Sequence, residues 1–356
     1  MPLLPATPLS CNNAVRNSNH IKLQNNTIEN TFSPGIGVWN STHQTVVDNT
    51  VINANDPDMT GFPNEFPETP HEAISLGSVE YFEVAYNLLR DGQKEGIDIK
   101  EESKHGTVHH NYVHHMQRQG LYVDSWGHLE DIEFAHNVVH DCKGTGFAIS
   151  VEGGSVARDI RFHHNLLYDN WGTGIFFSRW GQDGLRENVQ IYNNTVHHNG
   201  YGEPNPGEEF YWITGGLYLF SDNLRDIQIR NNIFSDNTGF QIGYSDRYLE
   251  TNPNINDVLD TKAIAIDRNL IYGDNWSDRP IYAGWPPDNY ANIYGINGSN
   301  AFLTEPAFID PDSGNFYLQQ TPSADSTNPS SIGAFPRSEA PNLWWQTDFP
   351  PQAINE

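Results

Sequence analysis

Cysteine is nearly missing: Cys11 and Cys142 are the only two in 356 residues. That is too few for a disulfide framework. Basic residues are scarce as well, with 19 Lys and Arg against 45 Asp and Glu and a formal net charge of −26. So acidic a chain repels phosphates, which argues against a nucleic-acid partner. No apolar run approaches the roughly 18 residues of a membrane-spanning helix, so no membrane partner is expected. The opening MPLLPATPLS lacks the charged start and apolar centre of a secretion signal, and a mature or trimmed chain is expected. Alanine, leucine and lysine are sparse, and no 3.6-residue apolar period stands out.

Asparagine, glycine, histidine and aromatic residues are abundant instead, and they recur in order. LQNNTIEN (23–30) returns as VVDNTVIN, EVAYNLLRD, TVHHNYVHH, EFAHNVVHD, RFHHNLLYD, QIYNNTVHH, QIRNNIFSD and AIDRNLIYGD. The anchoring residues are Asn26, Asn49, Asn87, Asn111, Asn137, Asn165, Asn194, Asn232 and Asn269. Five of the eight intervals are 23 to 29 residues and three are 37 or 38. Each block is followed by a second run, such as GIDI (96–99), GLYV (120–123) or GFAI (146–149). Short β-type runs separated by Asn and Gly turns cannot bury an apolar face alone. Stacked as coils about 4.8 Å apart they can, with the asparagines laddering at left-handed corners.

This pattern resembles the parallel β-helix repeat of pectate-lyase-like proteins over about residues 15–275. The resemblance implies an all-β, right-handed parallel β-helix of about nine to ten coils. It does not choose a reaction, since that scaffold hosts lyases, glycoside hydrolases, epimerases and depolymerases. The expected organisation is a β-helix over 1–275, with insertions near 54–72, 199–214 and 244–262. An irregular segment over 276–356 packs back on it. The first two insertions are expected to flank the central coils, since long loops on a solenoid line its binding side. The stretch 305–335 resembles a C-terminal segment common in secreted or cell-surface β-helix proteins, which implies a secreted, periplasmic or surface location.

Alternation along a strand divides inward from outward residues. Ile97 and Ile99 point inward, so Asp98 and Lys100 point out. Carried through the coils, one outward row is Gly37, Ser75, Asp98, Tyr122, Ala148, Phe176, Tyr218 and Gln241. The next is Trp39, Gly77, Lys100, Asp124, Ser150, Ser178, Phe220 and Gly243. Tyr122, Phe176 and Tyr218, joined by Trp126 and Trp180, read as an exposed aromatic platform for sugar rings. The turns KEESKHG, DSWGH, SVEGG and SRWGQDG add Lys100, Asp124, His128, Glu152 and Arg179 on the same side.

Glycoside hydrolysis needs two carboxyl groups across a scissile bond. Asp124 as nucleophile or base and Glu152 as acid, with Asp98 tuning or replacing one of them, form the expected catalytic set. Lys100, His128, Arg179, Tyr122, Trp126, Phe176, Trp180 and Tyr218 are expected to bind the polysaccharide. One alternative is a lyase acting by β-elimination, where Lys, Arg or Ca²⁺ neutralises a uronate. Ca²⁺ is the one cofactor considered. Another alternative is a non-catalytic adhesion solenoid. His110, His136 and His164 recur at one repeat position and read as stacked structural residues, with no metal site expected. His105 and His128 lie outside those columns and read as functional candidates.

Overall fold

The structure is a computed structural model. It describes residues 13–60, 71–201, 214–245, 254–273, 281–284, 290–292, 301–302, 305–319, 332–335 and 344–347. Cys11, the proline-rich opening and parts of all three insertions (61–70, 202–213 and 246–253) lie outside the described residues, as does much of the segment after 273. The chain winds as a parallel β-helix. A 10-stranded sheet runs up one side, made of three-residue strands such as Tyr112–His114 and Val138–His140. An 18-stranded sheet wraps the rest. In two early coils one strand crosses that sheet unbroken, Ile36–Val47 and Ile74–Ala85. From Ile97–Lys100 onward a turn interrupts it, followed by Lys104–His109. Asp98, Lys100 and Asp124 stand at the strand ends before those turns, and Glu152 and Arg179 in the corresponding turns of later coils.

The core is a stack of inward residues. Ile74, Ile97, Leu121, Phe147, Ile175 and Leu217 pair in register and are fully buried. All nine anchoring asparagines form one ladder. Each side-chain amide from Asn26 to Asn232 donates to the Oδ1 of the next, at 2.8–3.1 Å. The ladder residues themselves are not left-handed. Their predecessors are: Asn25, Asp48, Tyr86, His110, His136, His164, Asn193, Asn231 and Arg268 have φ between 53° and 57°. The asparagine thus works through its amide, while the corner strain falls on its neighbour. A second ladder, Asn170–Asn199–Asn237–Gln241, caps another corner.

The outward rows hold their register through Tyr218. The last member differs. Tyr218 pairs with Gly243 and Phe220 with Ser245, so Gln241 and Gly243 are not the residues at those places. Six earlier coils have a glycine directly before the strand (Gly35, Gly96, Gly120, Gly146, Gly174 and Gly216), and this one has Gln241, so a match on Gly239 slips by two residues. A short helix, Ile255–Thr261, lies within the third insertion, capped by the Asn254 side chain. Phe308, Phe316, Leu318, Ile332, Ala334 and Trp345 form a second apolar cluster with Val138, Leu166, Ile233 and Leu270 of the 10-stranded sheet. No helix among the described residues is long and apolar enough to cross a membrane.

Candidate active site

Lys100 is the centre of the outward face. Its Nζ lies 3.1 Å from Glu72 Oε1, 3.2 Å from Asp124 Oδ2 and 3.3 Å from Asp98 Oδ2. Strand pairing explains two of these contacts. Asp124 stands opposite Lys100 on the next coil, and Asp98 lies two residues back on the same face. Glu72 comes from the end of the first insertion, two residues before its strand. Ser75 Oγ donates to its other oxygen at 2.8 Å. All four charged groups are buried, Asp98 completely.

Burial sets the direction of titration for the two aspartates. It pushes Asp98 well above the usual carboxylate range against the pull of Lys100. It lifts Asp124 to about 7, again against Lys100 and with repulsion from Glu152 adding to the rise. Glu72 goes the other way: burial would raise it, but Lys100 and the Ser75 hydrogen bond hold it below its ordinary value. For Lys100, burial is outweighed by Asp98, Glu72 and Asp124, so the ammonium is held above the normal lysine range.

A cleft of about 290 Å³ opens above this cluster, lined by Glu72, Lys94, Glu95, Arg118, Gln119, Tyr122, Asp124, Glu152 and Trp180. Glu152 accepts a 2.7 Å hydrogen bond from the Tyr122 hydroxyl and a 3.3 Å bond from Ser150 Oγ. Asp124 Oδ1 has no hydrogen-bond partner among the described residues. Burial and the charge of Glu72 raise Glu95, although Arg118 lies 3.3 Å away. Trp180 meets Tyr122 and Phe176 edge-on, at centroid distances of 6.1 and 5.5 Å.

The cleft therefore brings together Asp124, Glu152, Lys100, Tyr122 and Trp180, with Asp98 beneath them. Other expected binding residues lie elsewhere. Phe176 and Tyr218 are buried with Tyr122, Ala148 and Phe240, packed against Trp180 and Phe220, so no exposed aromatic platform exists there. Their outward direction was right, but outward did not mean exposed. Trp126 is exposed but does not line the cleft. His128 Nε2 faces Glu130 at 3.0 Å. Arg179 is bound to Asp222 at 2.7 Å. His105 stacks on Tyr81 and pairs with Asp131 at 2.9 Å. Sequence reasoning missed Glu72, Glu95 and Gln119 as wall residues. The signal was there, since each stands two residues before the first inward residue of its strand, in successive coils.

The histidine columns are occupied by one another. His110 stacks on His136 at 4.9 Å and His136 on His164 at 5.0 Å. Asn193 Nδ2 lies 3.2 Å from His164 Nε2, His164 Nδ1 is 2.8 Å from His163 Nδ1, and His163 Nε2 is 3.0 Å from Glu133. That order fixes both rings as neutral, with His164 Nδ1–H donating to His163 and His163 Nε2–H donating to the carboxylate. Burial first, and neighbouring histidines second, hold His110 and His164 down at about 4. Among the described residues no group of three or more His, Cys, Asp or Glu is placed to hold a metal ion.

A family model described as right handed beta helix region matches residues 14–158 and 155–258. The chain belongs to that family, and the solenoid is right-handed. No curated protein matches the chain. Among solved structures, a mutant of the periplasmic alginate epimerase AlgG is similar at 11% identity and a TM-score of 0.46. The match covers 76% of this chain and 61% of that one. The A-module of the Azotobacter vinelandii mannuronan C-5 epimerase AlgE4 is similar at 16% identity and a TM-score of 0.46, over 79% and 76% of the two chains. The AlgE6 A-module gives 13% and 0.31 over 79% and 81%.

Proposed function

We propose that the protein is a glycoside hydrolase acting on a polysaccharide outside the cytoplasm, in the cleft between Glu72 and Trp180. One observation carries this reading: two carboxyl groups, Asp124 and Glu152, line one cleft. Asp124, lifted to about 7, is protonated in part near neutrality, and its buried Oδ1 has no described partner. Glu152 accepts hydrogen bonds from Tyr122 and Ser150, both on Oε1, which orient its carboxyl group in the cleft. Asp124 then protonates the glycosidic oxygen, and Glu152 attacks the anomeric carbon or activates water. This reverses the division expected from the sequence. Trp180 offers a sugar an apolar face. Asp98 is too deep to touch substrate; it backs Lys100, which positions Asp124.

The elimination reading has less support because a free base is harder to find. Lys100 is held charged among three carboxylates, His128 faces Glu130, and burial pushes Tyr122 well above its ordinary range. Incubation with a panel of neutral and uronic-acid polysaccharides tests the assignment. Hydrolysis releases reducing ends without the ultraviolet absorbance of an unsaturated sugar. Appearance of that absorbance overturns the hydrolase reading in favour of a lyase. Retention on a glycan without any cleavage supports the adhesion solenoid instead.

A further inference from the structure

The loop Ser178–Gly184 is fastened to the turn that carries Glu152, and a buried arginine fastens the loop itself. Arg186 is fully buried on the strand Leu185–Tyr192. Its guanidinium donates to the main-chain oxygens of both loop ends: Nη2 to Ser178 O, and Nη1 to Gly184 O at 2.7 Å. Nη1 also reaches Asp183 and, at 3.2 Å, Ser221 Oγ. Asp183 in turn accepts from Ser221 at 2.8 Å. A buried charge is tolerated only when paired and hydrogen-bonded in this way.

The loop main chain then grips its neighbour. Gln182 N donates to Glu152 O and Gly184 N to Val151 O, each at 2.8 Å. Directly before them Gly181 has φ +61°, and a Cβ there would stand 2.5 Å from both the Cα and the O of Glu152. No other residue type fits so close an approach. The loop also carries Trp180, whose ring meets Tyr122, the donor to the Glu152 carboxyl. The loop thus contacts Glu152 through its main chain directly and through its side chain by way of Tyr122.

We propose that the loop Ser178–Gly184, pinned by Arg186, is a positioning element that fixes the Glu152 carboxylate and the Trp180 face relative to one another. Arg186 touches no substrate and acts through the loop. The proposal concerns the geometry of Glu152; its catalytic consequence rests on the hydrolase reading above.

Gly181→Ala and Arg186→Lys test it in the full chain. Gly181→Ala displaces the loop without touching Arg186. Arg186→Lys retains the charge but cannot span both loop ends. The first readout is the titration of the Glu152 side-chain carboxyl by carbon NMR in glutamate-labelled protein, assigned from the signal missing in Glu152→Gln. The second is kcat and KM on whichever glycan the wild type cleaves. We expect the Glu152 resonance and its midpoint to move in both folded variants, and kcat to fall by about 100-fold, the cost of a misplacement near 1 Å. A moved resonance with no glycan cleaved even by the wild type supports the positioning role and overturns only the hydrolase reading. A Glu152 titration in folded Gly181→Ala that overlays the wild type overturns the proposal. Should Arg186→Lys fail to fold, Gly181→Ala decides alone.

Discussion

Burial lifts Asp124 to about 7, and that shift sets two pH dependences. As a proton donor it is competent below about 7 and lost above it, so the alkaline limb of kcat/KM is expected near 7. Its raised value also means that its contribution to stability is complete below its unfolded value and is lost as the pH rises through about 7. Asp124→Asn should abolish cleavage and remove that limb while the protein stays folded; so should Glu152→Gln abolish cleavage. Full turnover in both variants would sink the carboxylate pair. Lys100 is the residue on which the fold depends at this place. Lys100→Met leaves Glu72, Asp98 and Asp124 facing one another, with an expected loss of about 3–5 kcal/mol in urea unfolding at neutral pH. Glu72 is held below its ordinary value by Lys100. Its share is therefore present above that value and fades as the pH falls through its lowered pKa, so wild type and variant should converge in acid.

The ladder is the element that ties coil to coil. Asn137 donates to Val108 O and Asn165 Oδ1 while accepting from the main chain and side chain of Asn111. Asn137→Ala orphans several of these groups in a fully buried corner. At about 1–3 kcal/mol for each unsatisfied group, a loss of at least about 3 kcal/mol is expected by chemical denaturation. A loss under 1 kcal/mol would show that the neighbouring rungs close the gap. This ladder was legible in the sequence because the asparagine recurs at one position in every coil. The second ladder was not, because Gln241 ends it and its asparagines occupy only part of the solenoid. The polar turns were equally legible as turns. What they do was not, because Glu130 draws His128 away from the cleft and Asp222 does the same to Arg179.

On the scale of the whole molecule, two outer apolar faces need cover. One is the cluster of Tyr122, Ala148, Phe176 and Tyr218 with Phe240; the other lies on the 10-stranded sheet. Truncation before residue 305 removes Phe308, Phe316, Leu318, Ile332 and Trp345 from Val138, Leu166, Ile233 and Leu270. The bared face should lower the melting temperature and cause concentration-dependent association on size-exclusion chromatography with light scattering. An unchanged melting temperature and a monomer would show that these contacts are dispensable. The contrast between sequence and structure has the same origin. A two-residue alternation is local, so the chain by itself determined which residues face the solenoid axis through Leu219, that the nine repeat asparagines ladder and which coils carry charged turns. Whether an outward residue meets water is not local. It depends on segments 20 to 200 residues away that the pattern does not encode: Trp180 beside Tyr122, Glu72 against Lys100, Phe316 over the far sheet. Only the tertiary structure decided that the aromatic row is covered, that Asp98 lies beneath the cleft and that Asp124 is raised to about 7, because desolvation is set by everything that packs around a group.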